Sequence, residues 1–290
     1  MKKWNLDDLR KIDYRFSLED IPMYQRPLKA AIEILGSSVS FENLDPIEVK
    51  KIVQAYKTVL PEADSSWPGA GIGLISSLDK TKKIVLPLNY GKSSFIAWKI
   101  AGFTTHEEYT NWCHNKQNIA LGVDYAIADI YDFSMGLEQV KNTNTEAATY
   151  WELAQSCLED LSNALPNLTS NDTIIQSIHM TSELSLKAAL IYQGAKIKDI
   201  KSHDLDLLAK KMFSARHHRD DENITSVIHK MPHFVNSRYS SAGMTRVQVV
   251  KLAIGSQFIA ASTLRRLTEC DLSQTIEKVS NTGPRSLFTV

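Results

Sequence analysis

The chain has 290 residues and a mass of 32.6 kDa, which suits one large domain or two ordinary ones. Hydrophobic residues make up 43% and charged residues 23%, a balance that is typical of a globular protein and excludes a disordered chain. The 33 Lys and Arg residues equal the 33 Asp and Glu residues in number, which excludes binding of nucleic acid or anionic membrane by bulk charge alone.

The N-terminal sequence does not predict secretion, because Asp7, Asp8 and Arg10 lie where a signal peptide would need its apolar region. The apolar stretch 254–264 is shorter than the roughly 20 residues of a membrane-spanning helix. The three cysteines are widely spaced and form no CxxC pair, which favours reduced thiols over disulfides or a zinc site. We therefore expect a cytoplasmic protein that has no membrane partner, no metal and no cofactor.

The first 140 residues predict a mixed α+β region. GIGLISS and KIVLPLNY flank LDKTKK, which predicts a small β-hairpin with a polar turn. Residues 93–101 and 105–115 predict short helices, and a long helical pattern runs over 119–133. The glycines of GAGIG, residues 69–73, are loosely similar to a phosphate loop. They lack a Walker lysine and a following helix, so we interpret them as the start of a strand.

The polar, turn-rich run KNTNT, residues 141–145, is the predicted domain boundary. Five helical patterns follow it, over 150–165, 173–193, 203–213, 223 or 225 to about 239, and 244–268. The second is apolar around most of its circumference, which is typical of the central helix of a bundle. We therefore predict a mainly α protein with an N-terminal α+β region over 1–140, a helical bundle over 147–268 and a loosely attached tail over 269–290.

The predicted central helix carries one polar stripe. His179, Glu183 and Lys187 follow one another at intervals of four residues, so they stack along one face with Glu and Lys in the favourable order. A partly buried structural ion pair is the commoner explanation of such a stripe. A stripe that faces a ligand is the alternative.

Residues Ser182 to Leu208, SELSLKAALIYQGAKIKDIKSHDLDLL, resemble the core signature of HEPN domains, the "higher eukaryotes and prokaryotes nucleotide-binding" helical bundles. The family pattern is a helix with Glu, Lys and small apolar residues, then a Gly turn, then a helix that begins with His, an acidic residue and Leu. The residues that match it in order include Glu183, Lys187, Gly194, Lys201, His203 and Asp204. Further on, Arg238 and Tyr239 of NSRYS resemble the family's late Arg-Tyr segment. The resemblance covers residues 147–268 at most.

The resemblance implies an up-and-down bundle of four to five helices that forms a homodimer. It also implies a role in a bacterial toxin–antitoxin or antiviral defence system, with RNA or a nucleotide as ligand and a nucleotidyltransferase or another protein as partner. The implied ligand-binding residues are Glu183, Lys187, Lys201, His203, Asp204 and Tyr239.

Catalytic members of the family are ribonucleases that use an Arg, four to six spacer residues and a His. A base and a cation near the scissile phosphate then let the RNA 2′-hydroxyl attack without a metal. None of four arginines tested in this region has a His at that spacing: Arg216, Arg219, Arg238 and Arg246. A reversed arrangement exists, because His233 precedes Arg238 by five residues and His229 precedes His233 by four.

Three functions remain as hypotheses. The leading one is a HEPN-like module that binds RNA or a nucleotide and has a degenerate Arg-spacer-His motif. The first alternative is an active, metal-independent endoribonuclease that uses Arg238 with His233 or His229 as its catalytic residues. The second alternative is a non-enzymatic protein-interaction module. For His203, at a helix start beside Asp204, a structural hydrogen bond with Glu183 as the candidate partner is the commoner explanation, and a direct part in chemistry is the alternative.

Overall fold

The computed structural model describes residues 4–21, 23–36, 46–62, 69–87, 95–167, 171–232, 243–280 and 285. Within these residues the chain forms twelve α-helices and one two-stranded sheet. The prediction of a mainly α protein with a small β-hairpin is therefore confirmed. The chain divides into two compact units, residues 1–69 and 70–290.

The described residues of the first unit form three α-helices: α1 (Leu6–Leu18), α2 (Arg26–Leu35) and α3 (Pro46–Tyr56). Helix α1 begins at a capping box, in which the Asn5 side chain accepts from the Asp8 backbone while the Asp8 side chain accepts from the Asn5 backbone. Apolar residues of all three helices form a small core of their own, with Leu9, Ala30 and Ile52 fully buried.

A hairpin formed by β1 (Gly69–Ser77) and β2 (Lys80–Pro87) stands at the start of the second unit, whose first residue is the second residue of β1. The turn is shorter than predicted, because the lysine-rich part of LDKTKK belongs to β2 and only Leu78 and Asp79 lie between the strands. The interpretation of GAGIG as the start of a strand is confirmed. Gly73 is required there, since a Cβ atom would lie 2.4 Å from Gln257 Oε1 and 2.5 Å from Ile130 Cγ1. The missing side chain thus lets two buried helices approach β1.

Nine α-helices follow the hairpin in the part of the chain that the structure describes. They are α4 (Ala97–Ile100), α5 (His106–Trp112), α6 (Gln117–Val140), α7 (Thr145–Ala164), α8 (Ile175–Tyr192), α9 (Leu205–Ala215), α10 (Asp221–Lys230), α11 (Arg246–Arg265) and α12 (Leu272–Ser280). Helix α8 packs against α7, α9 and α11, and α11 packs against α6 as well. Most of α8 is buried, which confirms the prediction that it is the central helix.

The structure divides the chain at a different place from the predicted boundary at 141–145. That polar run is the turn between α6 and α7, where the Asn144 side chain caps α7 by accepting from the Ala147 backbone at 3.0 Å. Both helices contribute to one hydrophobic core with the hairpin. A polar run of this kind marks any exposed turn, so the local pattern does not distinguish a turn within a domain from a linker between domains.

Helix α11 is long and apolar enough to cross a membrane by length and composition, although we expected no segment of that size. Within the bundle, 83% of its most apolar window is buried against the rest of the protein. This burial is typical of a core helix, and the apolar residues of α11 pack in the core of the bundle.

The prediction of a loosely attached tail over 269–290 is wrong for residues 272–280 and for Arg285. Helix α12 packs against α6, and Arg285 is buried. The Asp132 carboxylate of α6 accepts hydrogen bonds from the first backbone amides of α12, at 2.7 Å from Leu272 and 3.3 Å from Ser273. A capping residue 140 positions upstream gives no local signal, so the sequence pattern could not reveal it.

Helix α10 also differs from its prediction, because it ends at Lys230 and not near 239. Pro232 follows two residues later and cannot donate a backbone hydrogen bond to a continuing helix. Helix α10 therefore contains His229 but not His233, so it does not place these two histidines on one helical face.

Candidate functional site

The junction between α8 and α9 is built by local signals of the chain. Gly194 adopts a left-handed backbone (φ +94°) directly after α8, which lets the chain turn away from the helix. Asp204 caps α9, since its Oδ1 atom accepts from the backbone amides of Asp206 at 3.0 Å and Leu207 at 3.1 Å. Because α9 packs along α8, His203 at the start of α9 is brought over the polar stripe of α8.

Glu183 is the centre of this junction. Its Oε1 atom accepts from Lys187 Nζ at 2.7 Å and lies 2.9 Å from His203 Nδ1, within hydrogen-bond distance. His179 Nδ1 lies 3.6 Å from the other carboxylate oxygen, Oε2. The predicted partly buried ion pair of the stripe is confirmed, and so is the hydrogen bond between His203 and Glu183.

Burial within this group is strongly uneven. The Glu183 and Lys187 side chains are 3% and 10% exposed, whereas the His203 side chain is 66% exposed. A carboxylate held beneath the surface thus orients an imidazole that faces solvent. Such a pair fixes the orientation of the ring, and this is useful for contacting a ligand or for transferring a proton.

Three exposed lysines precede His203 in the chain, and the exposed Asp204 follows it directly. Lys196, Lys198 and Lys201 all lie in the connection between α8 and α9 and are exposed. The only acidic residue between them is Asp199, whose backbone carbonyl accepts from Lys211 Nζ at 2.8 Å. We call the set Lys187, Lys196, Lys198, Lys201 and His203 the α8–α9 surface. It gathers four lysines and an imidazole in a protein whose formal net charge is zero.

The predicted catalytic residues are not assembled in the part of the chain that the structure describes. His229 lies on α10, is exposed, and places Nε2 3.6 Å from Asp206 Oδ1 of α9. His233, Arg238 and Tyr239 lie outside the described residues. Across those described, no group of three or more His, Cys, Asp or Glu side chains could hold a metal ion.

A second cluster of charges was not predicted. It lies inside the bundle, and we call it the buried ion cluster: Asp129, Asp132, Asp220 and Arg265. Arg265 donates to Asp129 Oδ1 and to Asp132 Oδ2, at 2.6 Å each, and its Nη1 atom lies 3.7 Å from Asp220 Oδ2. A signal for it existed, because Asp129 and Asp132 interrupt the apolar run of α6 and Arg265 ends the apolar run of α11.

Burial and charge act against each other in this cluster. Burial disfavours the charge of Arg265, but Asp132, Asp129 and Asp220 together hold its pKa above the usual value. Burial likewise raises the pKa of Asp132 more than Arg265 lowers it. For Asp220 the balance is reversed, since Arg265 and its other cationic neighbours overcome burial and lower the pKa.

Comparison of the chain with models of protein families, with curated proteins and with solved structures found no match. The resemblance to HEPN domains therefore stays a prediction that depends on residues Ser182 to Leu208. What the structure adds is the meeting of Glu183, Lys187 and His203 across α8 and α9.

Proposed function

We propose that this protein is a HEPN-like module that binds RNA or a nucleotide at the α8–α9 surface and does not cleave it. The observation that carries the proposal is the buried Glu183 carboxylate, which holds Lys187 and the exposed His203 beside a run of exposed lysines. A purely structural ion pair would not need an exposed imidazole as its third member.

Phosphate groups are the ligand chemistry that this surface suits. Lysines that neutralise phosphates release condensed counterions, which gives affinity without reading the base sequence. His203 supplies a directed hydrogen-bonding group among these cations, and so it favours a phosphate or a 2′-hydroxyl held at one place. The formal net charge of the protein is zero, so attraction by bulk charge contributes little to this binding. The affinity therefore has to come from contacts at the α8–α9 surface.

The HEPN resemblance extends the proposal to the biological setting. We infer a cytoplasmic homodimer that acts in a bacterial toxin–antitoxin or antiviral defence system, with a nucleotidyltransferase or another protein as partner. Helices of the bundle would form the dimer interface, with the same helical face used by both copies.

Fluorescence anisotropy of a labelled single-stranded RNA, in EDTA and at low salt, tests the ligand. We expect binding by the wild-type protein, and a loss of roughly tenfold or more when Lys196, Lys198 and Lys201 are all changed to Gln. The slope of log affinity against log salt should fall by about 2, at about 0.7 for each lost phosphate contact with a single strand.

The matched control changes three exposed lysines of the first unit, Lys50, Lys51 and Lys57, to Gln, which alters the net charge equally. It should keep wild-type affinity within about twofold, because bulk charge does not drive this binding. A second variant, Glu183→Gln, should also weaken binding, since it removes the charge that orients His203.

Two outcomes would overturn the proposal. Absence of RNA and nucleotide binding at low salt would favour the protein-interaction module. RNA cleavage in EDTA that disappears in Arg238→Ala would instead show an active ribonuclease.

A further inference from the structure

A buried pocket in the second unit is filled by the side chain of Arg285, which is 1% exposed. Arg285 Nη1 donates to Asp129 Oδ1 at 2.7 Å. The Arg285 Cζ atom also lies 5.1 Å from the centre of the Tyr125 ring and 4.7 Å from the centre of the Phe258 ring. Among the described residues, the Asp129 carboxylate and the rings of Tyr125 and Phe258 thus lie against the Arg285 guanidinium group.

These contacts suit a guanidinium better than an ammonium. A planar, delocalised cation can stack on an aromatic ring and still donate in its own plane to a carboxylate, and it loses less hydration energy on burial. Lysine would offer a compact ammonium that is costlier to bury and cannot stack.

The charges of the buried ion cluster also favour a second cation beside Asp129. Three buried carboxylates, Asp129, Asp132 and Asp220, surround the single guanidinium of Arg265. Arg285 brings a second positive charge to Asp129, whose Oδ1 atom accepts from both arginines. Buried charges without such compensation are strongly unfavourable.

The walls of the pocket are held by residues other than Arg285. Asp129 and Tyr125 belong to α6 and Phe258 to α11, two helices that pack directly against each other in the core. Arg265 fixes the Asp129 carboxylate independently, at 2.6 Å. We therefore expect Asp129, Tyr125 and Phe258 to stay in place when the Arg285 side chain is removed.

We propose that α6 and α11 form a binding pocket for a guanidinium group, with Arg285 as its resident ligand. The pocket takes a small guanidinium compound, or the arginine side chain of another peptide, when the Arg285 side chain is removed. On this proposal Arg285 is an exchangeable ligand of a preformed site. An ordinary core side chain, by contrast, could not be replaced by a small molecule in solution.

Chemical rescue of Arg285→Ala by ethylguanidinium tests the proposal. The variant should unfold at a temperature roughly 5–15 °C below the wild type, because it leaves buried Asp129 with one cation fewer. Millimolar ethylguanidinium should recover about a third or more of this loss with a saturable dose dependence, as a ligand of the folded state does. The wild type, whose pocket is filled, should show no such increase.

Two controls separate binding from general salt effects. Propylammonium at equal concentration should give no saturable increase in Arg285→Ala, and ethylguanidinium should give none in Arg216→Ala, which removes an exposed arginine of the same unit. If Arg285→Ala does not fold, refolding yields with and without ethylguanidinium decide the same question. Equal effects of the two compounds, or no effect of ethylguanidinium on melting or refolding, would overturn the proposal.

Discussion

Asp129 of the buried ion cluster and Glu183 beneath the α8–α9 surface each hold two nitrogen-bearing side chains, but the two groups differ in exposure. Asp129 accepts from Arg265 and Arg285, and all three side chains are at most 1% exposed. Glu183 holds Lys187 and His203, of which His203 is 66% exposed. The same chemistry can therefore serve the fold in one place and face a ligand in the other, because only an exposed partner can contact a molecule in solution.

The two clusters also differ in how far apart their residues lie along the chain. Glu183 reaches partners 4 and 20 residues away, within a helix and the next helix start. Asp129 reaches partners 136 and 156 residues away. The first cluster can form once α8 and α9 meet, whereas the second requires the complete bundle.

Arg265→Met should have the largest effect on stability. It leaves Asp129, Asp132 and Asp220 without their shared cation, and removing one member of a buried ion cluster costs about 3–5 kcal/mol. Urea denaturation measures this loss as a change in the free energy of unfolding. Arg216→Met is the control at an exposed arginine and should stay within about 0.5 kcal/mol of the wild type. A loss below about 1 kcal/mol in Arg265→Met would contradict a stabilising role.

Asp124, also on α6, shows the effect of burial on the pKa of a carboxyl group. Burial alone raises the pKa of Asp124 to about 6 from 3.8. A folded-state pKa above the unfolded value gives stability that is present below the unfolded pKa and lost as pH rises through the folded one. Asp124→Asn cannot ionise, so it should be more stable than the wild type by about 1–2 kcal/mol at pH 7 and lose this advantage near pH 4.

Chemical denaturation of both proteins at these two pH values measures the difference. Glu138→Gln, at an exposed carboxylate of the same helix, is the control and should differ little from the wild type at either pH because solvent screens its charge. An advantage of Asp124→Asn that is equal at both pH values would show that ionisation is not its cause.

His203→Ala should have the smallest effect on stability and a clear effect on binding. The exposed imidazole contributes less than about 1 kcal/mol to folding. Loss of one directed contact should nevertheless weaken RNA binding roughly 3- to 10-fold in the anisotropy experiment. The control is His217→Ala, which removes another exposed histidine of the same unit. If His203→Ala lost stability but kept its RNA affinity, the role of His203 would be structural.

Local patterns predicted much of the fold. The hairpin, the central position of α8 and the stripe of His179, Glu183 and Lys187 are each visible in a short window of sequence. The errors lie where local signals are ambiguous: polar residues at 141–145 indicated a domain boundary but form a turn, and residues 272–280 lacked a visible reason to be ordered. The predicted catalytic residues His233 and Arg238 lie outside the described residues, so that alternative stays a prediction.

The sequence by itself determined the helices of the bundle through their periodicity. It also determined the junction of α8 with α9 through Gly194 and the Asp204 cap. Both features depend on residues that are near one another in the chain. Only the tertiary structure decided that Asp129, Arg265 and Arg285 share one buried cluster. Electrostatic partners that are more than a hundred residues apart in the chain become neighbours only when packing brings them together. Their burial, which decides whether a charge stabilises the fold or contacts a ligand, is likewise a property of the packed chain.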